Sequence, residues 1–159
     1  MIEYRLASYA DVPQLLPLLA EIMEDHGVSP PSTERLEATI ETVLSSSGHS
    51  LLVAESDGRL IGMCALIFSY STWSSSLVCE LQDVVVTEAY RREHVGRDLV
   101  SEAESLARAR GCSRLFLLAE AWNLQAHAFY RSLGLAEKTC LYFERALSDE
   151  EPDPTGALP

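Results

Sequence analysis

Apolar and polar positions alternate at the start of the chain: Ile2, Tyr4 and Leu6 are interleaved with Glu3 and Arg5, which predicts a half-buried strand over residues 2–7. Ser8 with Asp11 three residues later forms a capping-box signal, and Pro13 fits a first helical turn. Leu15, Leu18, Leu19 and Ile22 then recur at helical spacing to about Asp25, and Gly27 ends the run. A second helix begins at Pro30-Pro31-Ser32, turns Leu36, Ile40, Val43 and Leu44 inward, and stops in Ser45-Ser46-Ser47-Gly48. Leu51–Ala54 and Leu60–Ile67 read as strands joined through Ser56-Asp57-Gly58-Arg59, a strong hairpin signal. Tyr70–Ser76 reads as a polar, flexible link, in which Trp73 either lines a pocket or packs on the base of its own loop.

The segment from Glu80 to Gly134 organises the rest. The β-branched run Val84-Val85-Val86 marks a strand over Leu81–Val86, with Glu80, Gln82 and Val84 on one face and Asp83 and Val85 on the other. Tyr90–His94 makes a basic turn. A helix over Val95–Arg110 follows, closed by Gly111. Leu115–Leu118 is all apolar, as suits a parallel strand covered on both faces, and the connection should be a right-handed crossover. A short helix precedes Gly134, and Cys140–Leu147 suggests a final strand.

Chemistry points to the turn. In Arg91-Arg92-Glu93-His94-Val95-Gly96-Arg97 a strand hands over to a helix, so unpaired backbone N–H groups, the helix dipole and three arginines favour a phosphate or pyrophosphate. Gly96 allows close backbone approach. A solvated basic helix start with no ligand fits the same residues.

Two patterns in order decide between these readings. Arg91-x-x-His94-x-Gly96 resembles the acetyl-CoA loop of the GNAT acetyltransferase superfamily, Arg/Gln-x-x-Gly-x-Gly/Ala. Asn123, Ala126, Phe129 and Tyr130 followed by Gly134-Leu135 resemble that family's later Asn-x-x-Ala-x-x-Phe-Tyr pattern. The resemblance covers roughly residues 1–147, read as a single domain, with the acidic, proline-rich 148–159 as a disordered tail. It implies an α/β fold: a mixed, mostly antiparallel sheet with a parallel, splayed central pair and helices on both faces. It also implies acetyl-CoA as co-substrate, held by Val84–Val86, by the loop residues Arg91, Arg92, Glu93, His94, Val95, Gly96 and Arg97, and by Asn123, Ala126, Phe129 and Tyr130. Tyr130 matches the family tyrosine beside the CoA sulfur, a general acid. His94 stands at the first glycine position, so either its backbone is ordinary and right-handed or its imidazole touches a phosphate.

The base is less determined. Ser71-Thr72-Trp73 and Leu81-Gln82-Asp83 resemble the diamine and polyamine branch, where Leu-Glu-Asp is usual, but Gln82 cannot accept a proton. Glu80 or Asp83 can, and either can equally be a strand-end residue fixing a loop. By the same resemblance Glu24, Asp25, His26 and Ser29 form one wall of the acceptor site. His127, one turn from Tyr130, reads as surface.

Composition narrows the partners. The net charge is −12, and residues 1–50 hold eight acids against two arginines, whereas residues 91–110 hold four acids against five arginines. That balance argues against nucleic acid and suits a cationic acceptor. No run of 18 apolar residues and no charged-then-apolar leader occurs, and Cys64, Cys79, Cys112 and Cys140 are scattered like the four histidines. The expectation is therefore a cytoplasmic protein with reduced thiols, no metal and no membrane partner, a homodimer by family resemblance. The expected function is acetylation of a primary amine on a polyamine, diamine, amino sugar or amino acid. The alternatives are a non-catalytic CoA-sensing module and acetylation of a protein N-terminus or lysine.

Overall fold

The computed structural model describes residues 1–145 and 147. The chain divides into two compact units, Met1–Leu117 and a second from Leu118 onward.

The first unit is built on a five-stranded sheet: β1 (Ile2–Leu6), β2 (His49–Ser56), β3 (Arg59–Ser71), β4 (Ser76–Val86) and β5 (Leu115–Phe116), in sequence order across the sheet. Neighbours are antiparallel except β4 and β5, which are parallel. Asp57 (φ 51°) and Gly58 (φ 77°) both adopt the left-handed conformation that a two-residue hairpin demands, so the Asp-Gly signal sets the β2–β3 register.

Helices cover both faces. Helices α1 (Val12–Asp25) and α2 (Thr33–Ser45) bury Val12, Leu15, Leu18, Leu19, Leu36 and Ile40 against Leu51, Val53, Met63, Ala65 and Val85. Each such side chain contributes about 1.5–3 kcal/mol on burial. Helix α3 (Val95–Ala109) lies on the opposite face and buries Val95, Leu99, Val100, Ala103 and Ala107. There a Cβ on Gly62 would stand 2.9 Å from the Val85 carbonyl oxygen and 3.2 Å from Leu99 Cδ1, so only glycine lets β3, β4 and α3 approach this closely. The predicted capping box at Ser8 and Asp11 forms, ahead of one 3₁₀ turn (Tyr9–Asp11). Asp11 is buried and also takes two hydrogen bonds from the Arg5 guanidinium at 2.7 and 2.8 Å, which hold its carboxyl far below the usual range.

Four expectations change. First, residues 70–76 are not a link. Strand β3 runs on to Ser71 and β4 starts at Ser76, so Tyr70 pairs with Leu77 and only Thr72–Ser75 turn. Backbone pairing between neighbouring strands outweighs the polar composition. Trp73, at 96% exposure in that turn, does not pack on the base of its loop.

Second, β4 does not alternate. Gln82 pairs with Ala65 while Val85 pairs with Met63, so Asp83 and Val84 together oppose Cys64 in a β-bulge. Asp83 takes φ 51°. Met63 and Ala65 share a face, so Gln82 and Val85 share it too, and the face assignment made from strict alternation is wrong beyond Gln82.

Third, β5 is only two residues long, and Leu117 and Leu118 lie outside it. Its pairing to β4 is confined to Cys79 with Leu115 and Glu80 with Phe116, so the pair parts just before the bulge. Fourth, no strand forms over Cys140–Arg145 or at Leu147. Ala146 and the tail from Ser148 lie outside the described residues.

The second unit contains helix α4 (Leu124–Ser132). The Asn123 side chain accepts the Ala126 N–H at 3.0 Å as its N-cap, and Gly134 (φ 83°) closes its end. Among the described residues no helix is long and apolar enough to cross a membrane.

Candidate active site

The β4–α3 connection is a short 3₁₀ turn (Glu88–Tyr90) followed by Arg91–His94. Arg92 (φ 68°) and His94 (φ 67°) are both left-handed. His94, where the family pattern has glycine, thus adopts a left-handed backbone, and the expectation of a right-handed residue is overturned. A non-glycine residue bears this at a cost of about 1–2 kcal/mol. The reward is positional: the left-handed residue turns the chain directly into α3. Unlike α2 and α4, whose first turns are capped by Ser32 and Asn123, α3 has no side-chain cap. Its first intrahelical acceptor is the His94 carbonyl, bonded by Asp98 N–H at 3.0 Å, so the N–H groups of Val95, Gly96 and Arg97 precede the helical ladder. A bare helix start of 15 residues, with Arg92 and Arg97 beside it, fits a pyrophosphate by donor set and by sign. His94→Gly should relieve the strain while losing about 0.5–1 kcal/mol to added freedom of the unfolded chain. The net expectation is a slightly higher melting temperature with CoA affinity unchanged within about twofold. A larger loss of affinity would show that the imidazole holds a phosphate.

Arg91 is placed otherwise than the basic turn suggests. Its Nε donates to the Val86 carbonyl at 2.8 Å, and its Nη2 donates to Glu21 Oε1 at 2.8 Å and Asp25 Oδ2 at 3.0 Å, both on α1. Three of its five N–H donors are thereby directed into the protein.

The bulge gives β4 its own chemistry. Burial raises the Asp83 carboxyl above its ordinary value, and the nearby His26, just past the end of α1, partly opposes that shift. His26 is itself oriented by a 2.8 Å contact from Nδ1 to the Ile22 carbonyl. Glu80 is placed differently: its Oε1 accepts Gln82 Nε2 at 3.0 Å. Gln82 therefore orients Glu80, a role its sequence position did not disclose. Across the bulge Cys64 is fully buried, which pushes its thiol up to about 12 and leaves it a core residue. Within this unit Glu80, Asp83 and Val84–Val86 thus follow one another along β4 towards the turn, which Arg91 ties to Val86, and His26, just past the end of α1, lies near Asp83. A cleft of about 330 Å³ lined by Pro13, Gln14, Pro17, Leu18, Glu21, Arg59, Leu60 and Thr87 contains none of the predicted site residues.

In the second unit, α4 carries Ala126, Phe129 and Tyr130, with the Phe129 and Tyr130 rings 5.0 Å apart and tilted by 60°. Tyr130 also offers its carbonyl to Leu135 N–H at 3.2 Å, so Gly134-Leu135 finishes the helix beneath it. His127 is not merely surface: Nε2 lies 2.8 Å from the Glu120 carbonyl and ties α4 to the preceding loop.

The model of the acetyltransferase (GNAT) family matches residues 14–135. A thialysine N-epsilon-acetyltransferase of Bos taurus is 32% identical over 91 residues, covering 54% of this chain and 53% of that protein. A streptothricin acetyltransferase of Streptomyces lavendulae is 33% identical, covering 57% of this chain and 46% of that protein. The chain thus spans about half the length of these curated relatives. A crystal structure of a Trypanosoma brucei acetyltransferase superposes with a TM-score of 0.73 at 25% identity, covering 91% of this chain and all of that one. With its sheet, its parallel β4–β5 pair and its β4–α3 turn in that family's order, the chain belongs to the GNAT acetyltransferase family.

Proposed function

We propose that this chain transfers acetyl from acetyl-CoA to the primary amine of a small acceptor, by direct attack in a ternary complex. The observation that carries the proposal is the bulged end of β4 running into an uncapped, left-handed helix start. It sets backbone donors for a pyrophosphate beside a strand whose partner has ended. When bound, acetyl-CoA supplies the activated acyl group. The N–H groups of Val95, Gly96 and Arg97 would take its pyrophosphate, and Val84–Val86 would offer backbone groups to the pantetheine amides in the manner of an added strand.

A primary amine of pKa about 10.4 is protonated at neutral pH and attacks only after losing a proton. Asp83 is the favoured acceptor of that proton, because burial raises its carboxyl towards the working pH, while Glu80 is held by Gln82. The nitrogen lone pair then adds to the thioester carbonyl, the carbon–sulfur bond breaks, Tyr130, by resemblance, gives its phenolic proton to the leaving thiolate, and the surplus proton on the new amide nitrogen passes through solvent to the tyrosinate. Names of relatives support an amine acceptor: thialysine at its ε nitrogen for one, streptothricin for another. Glu24 near the end of α1, where Glu21 and Asp25 are already paired with Arg91, suits a cationic molecule of this kind. The family resemblance also supports a cytoplasmic homodimer.

The test is a pH–rate profile of CoA-thiol release. Because Asp83's value is raised, its base form is lost as pH falls through that value, so the acid limb of kcat/KM should lie above the ordinary aspartate range near 3.9. Asp83→Asn should remove that limb and lower kcat about a hundredfold. Glu80→Gln should leave the limb in place. Stability runs the other way: a raised carboxyl value means that this group opposes folding at pH above it and ceases to as pH falls through it. Asp83→Asn should therefore be at least as stable as wild type at neutral pH, which separates lost chemistry from lost fold. A limb unchanged in Asp83→Asn would remove the assignment.

A further inference from the structure

Arg91 opens the loop motif, and its charge makes it an obvious phosphate ligand. Its geometry points elsewhere. The Nε donates to the carbonyl of Val86, the last residue of β4, and the Nη2 is shared by Glu21 and Asp25, one helical turn apart on α1. A guanidinium fork is well matched to this task, because its planar donors fix several acceptors at once where an ammonium would fix fewer. The two carboxylates lie on the last turns of α1, and His26 beside Asp83 follows directly. Two non-glycine left-handed residues, Arg92 and His94, lie within three positions after Arg91, so the strained part of the loop hangs from this anchor.

We infer that Arg91 is a positioning residue: it ties the cofactor loop to β4 and to the end of α1, and does not bind phosphate through its side chain. The inference rests on the proposed CoA-binding role of the loop and adds a component of that site from α1, the acid pair Glu21 and Asp25. It further implies that loop and acceptor wall are mechanically joined, since the same helix end carries both the Arg91 tether and His26.

A ligand and a tether make opposite predictions for the partner acids. If Arg91 binds phosphate directly, neutralising Glu21 and Asp25 frees the guanidinium, and CoA binds as well as before or better. If Arg91 is a tether, removing its partners loosens the loop. CoA affinity then falls by about threefold to fivefold, the scale of a partly exposed ion-pair network.

The experiment is calorimetric titration of CoA into wild type, Arg91→Met, Glu21→Gln/Asp25→Asn and the triple variant, with melting curves to verify folding. Steady-state rates with acetyl-CoA and with S-acetylpantetheine, which lacks the pyrophosphate, accompany it. The tether predicts that Arg91→Met and the double variant both weaken CoA and that the triple is no weaker than Arg91→Met alone, the non-additivity of a shared interaction. For Arg91→Met it also predicts that kcat/KM falls at least about threefold further for acetyl-CoA than for S-acetylpantetheine, a difference that generalised damage to the fold would not produce. Unchanged or tighter CoA binding by Glu21→Gln/Asp25→Asn overturns the inference, as does an equal fall with both donors. Should Arg91→Met fail to fold, the double variant, which retains Arg91, decides alone. Failure of wild type to bind CoA would instead sink the proposed function itself, and is read from the first titration.

Discussion

Tyr130→Phe should lower kcat by about a hundredfold or more while CoA affinity stays within about twofold of wild type. The size follows from the task assigned to the phenol. Loss of a positioned general acid costs about 10²–10⁴ in rate, because the thiolate must leave without a proton. The split between rate and affinity follows from what the substitution spares. Phenylalanine keeps the ring that packs 5.0 Å from Phe129, and the backbone carbonyl that receives Leu135 N–H is untouched, so α4 and its closing turn persist. An effect confined to the transition state appears in kcat and kcat/KM together, with binding unaltered. Calorimetry and single-turnover kinetics on the same preparation distinguish the cases. An equal loss of affinity and rate would assign Tyr130 a binding role and remove it as the acid.

Gly62→Val should destabilise the fold by about 1–3 kcal/mol, the range of overpacking in a close-packed core that must move backbone to make room. A Cβ at Gly62 meets the Val85 carbonyl at 2.9 Å, Leu99 Cδ1 at 3.2 Å and Val86 Cγ2 at 3.4 Å, and a valine adds two methyl groups to that crowd. The carbonyl belongs to backbone and cannot swing aside as a flexible side chain would. Relief must come from lifting β4 off β3 or α3 off the sheet, and both movements disturb the strand end that the proposal assigns to the donor. Thermal melting should show a drop of roughly 2–12 °C. CoA affinity should fall as well, because the bulge at Asp83 and the start of α3 flank the same contact. A valine variant that melts with wild type would show that the sheet relaxes there and that close approach at Gly62 is not required.

Local signals in the chain disclosed most of the elements, since each rests on a residue whose neighbours confirm it. Asp57-Gly58 sets its hairpin, Ser32 starts its helix, and the stripe Leu15, Leu18, Leu19 and Ile22 finds the core. What could not be read depends on register across strands. The bulge at Asp83 is visible only once Gln82 is matched to Ala65 and Val85 to Met63, and no property of Leu81-Gln82-Asp83-Val84 announces it. Aspartate does tolerate left-handed backbone better than most residues, which is the one trace of the bulge in the sequence. The extension of β3 and β4 past Ser69 was hidden in the same way: serine-rich composition reads as a loop, yet Tyr70 pairs with Leu77.

The site divides along the same line. The loop motif and the Asn123–Leu135 pattern are each local in the chain and were read there as a family resemblance. The Glu80–Gln82 hydrogen bond, the His26–Asp83 proximity and the Arg91 tether join residues that are 2, 57 and about 66–70 positions apart, and only the last two need the fold to bring them together. Gln82 is instructive here. Read against a branch with glutamate at that position, it looks like a lost base. In the structure it holds Glu80, and the burial that raises a carboxyl falls on Asp83 instead.

The account stands or falls on acetyl transfer. The measurement is release of free CoA thiol from acetyl-CoA, followed against polyamines, amino sugars, amino acids and basic peptides, with CoA binding determined by calorimetry on the same protein. The account predicts CoA binding in the micromolar range and acceptor-dependent thiol release with at least one small primary amine, one thiol per amide formed. Absence of CoA binding would contradict it at its root, because the uncapped start of α3 would then hold no pyrophosphate. Binding without release across the whole panel would contradict the catalytic claim and leave the loop as a sensor of CoA.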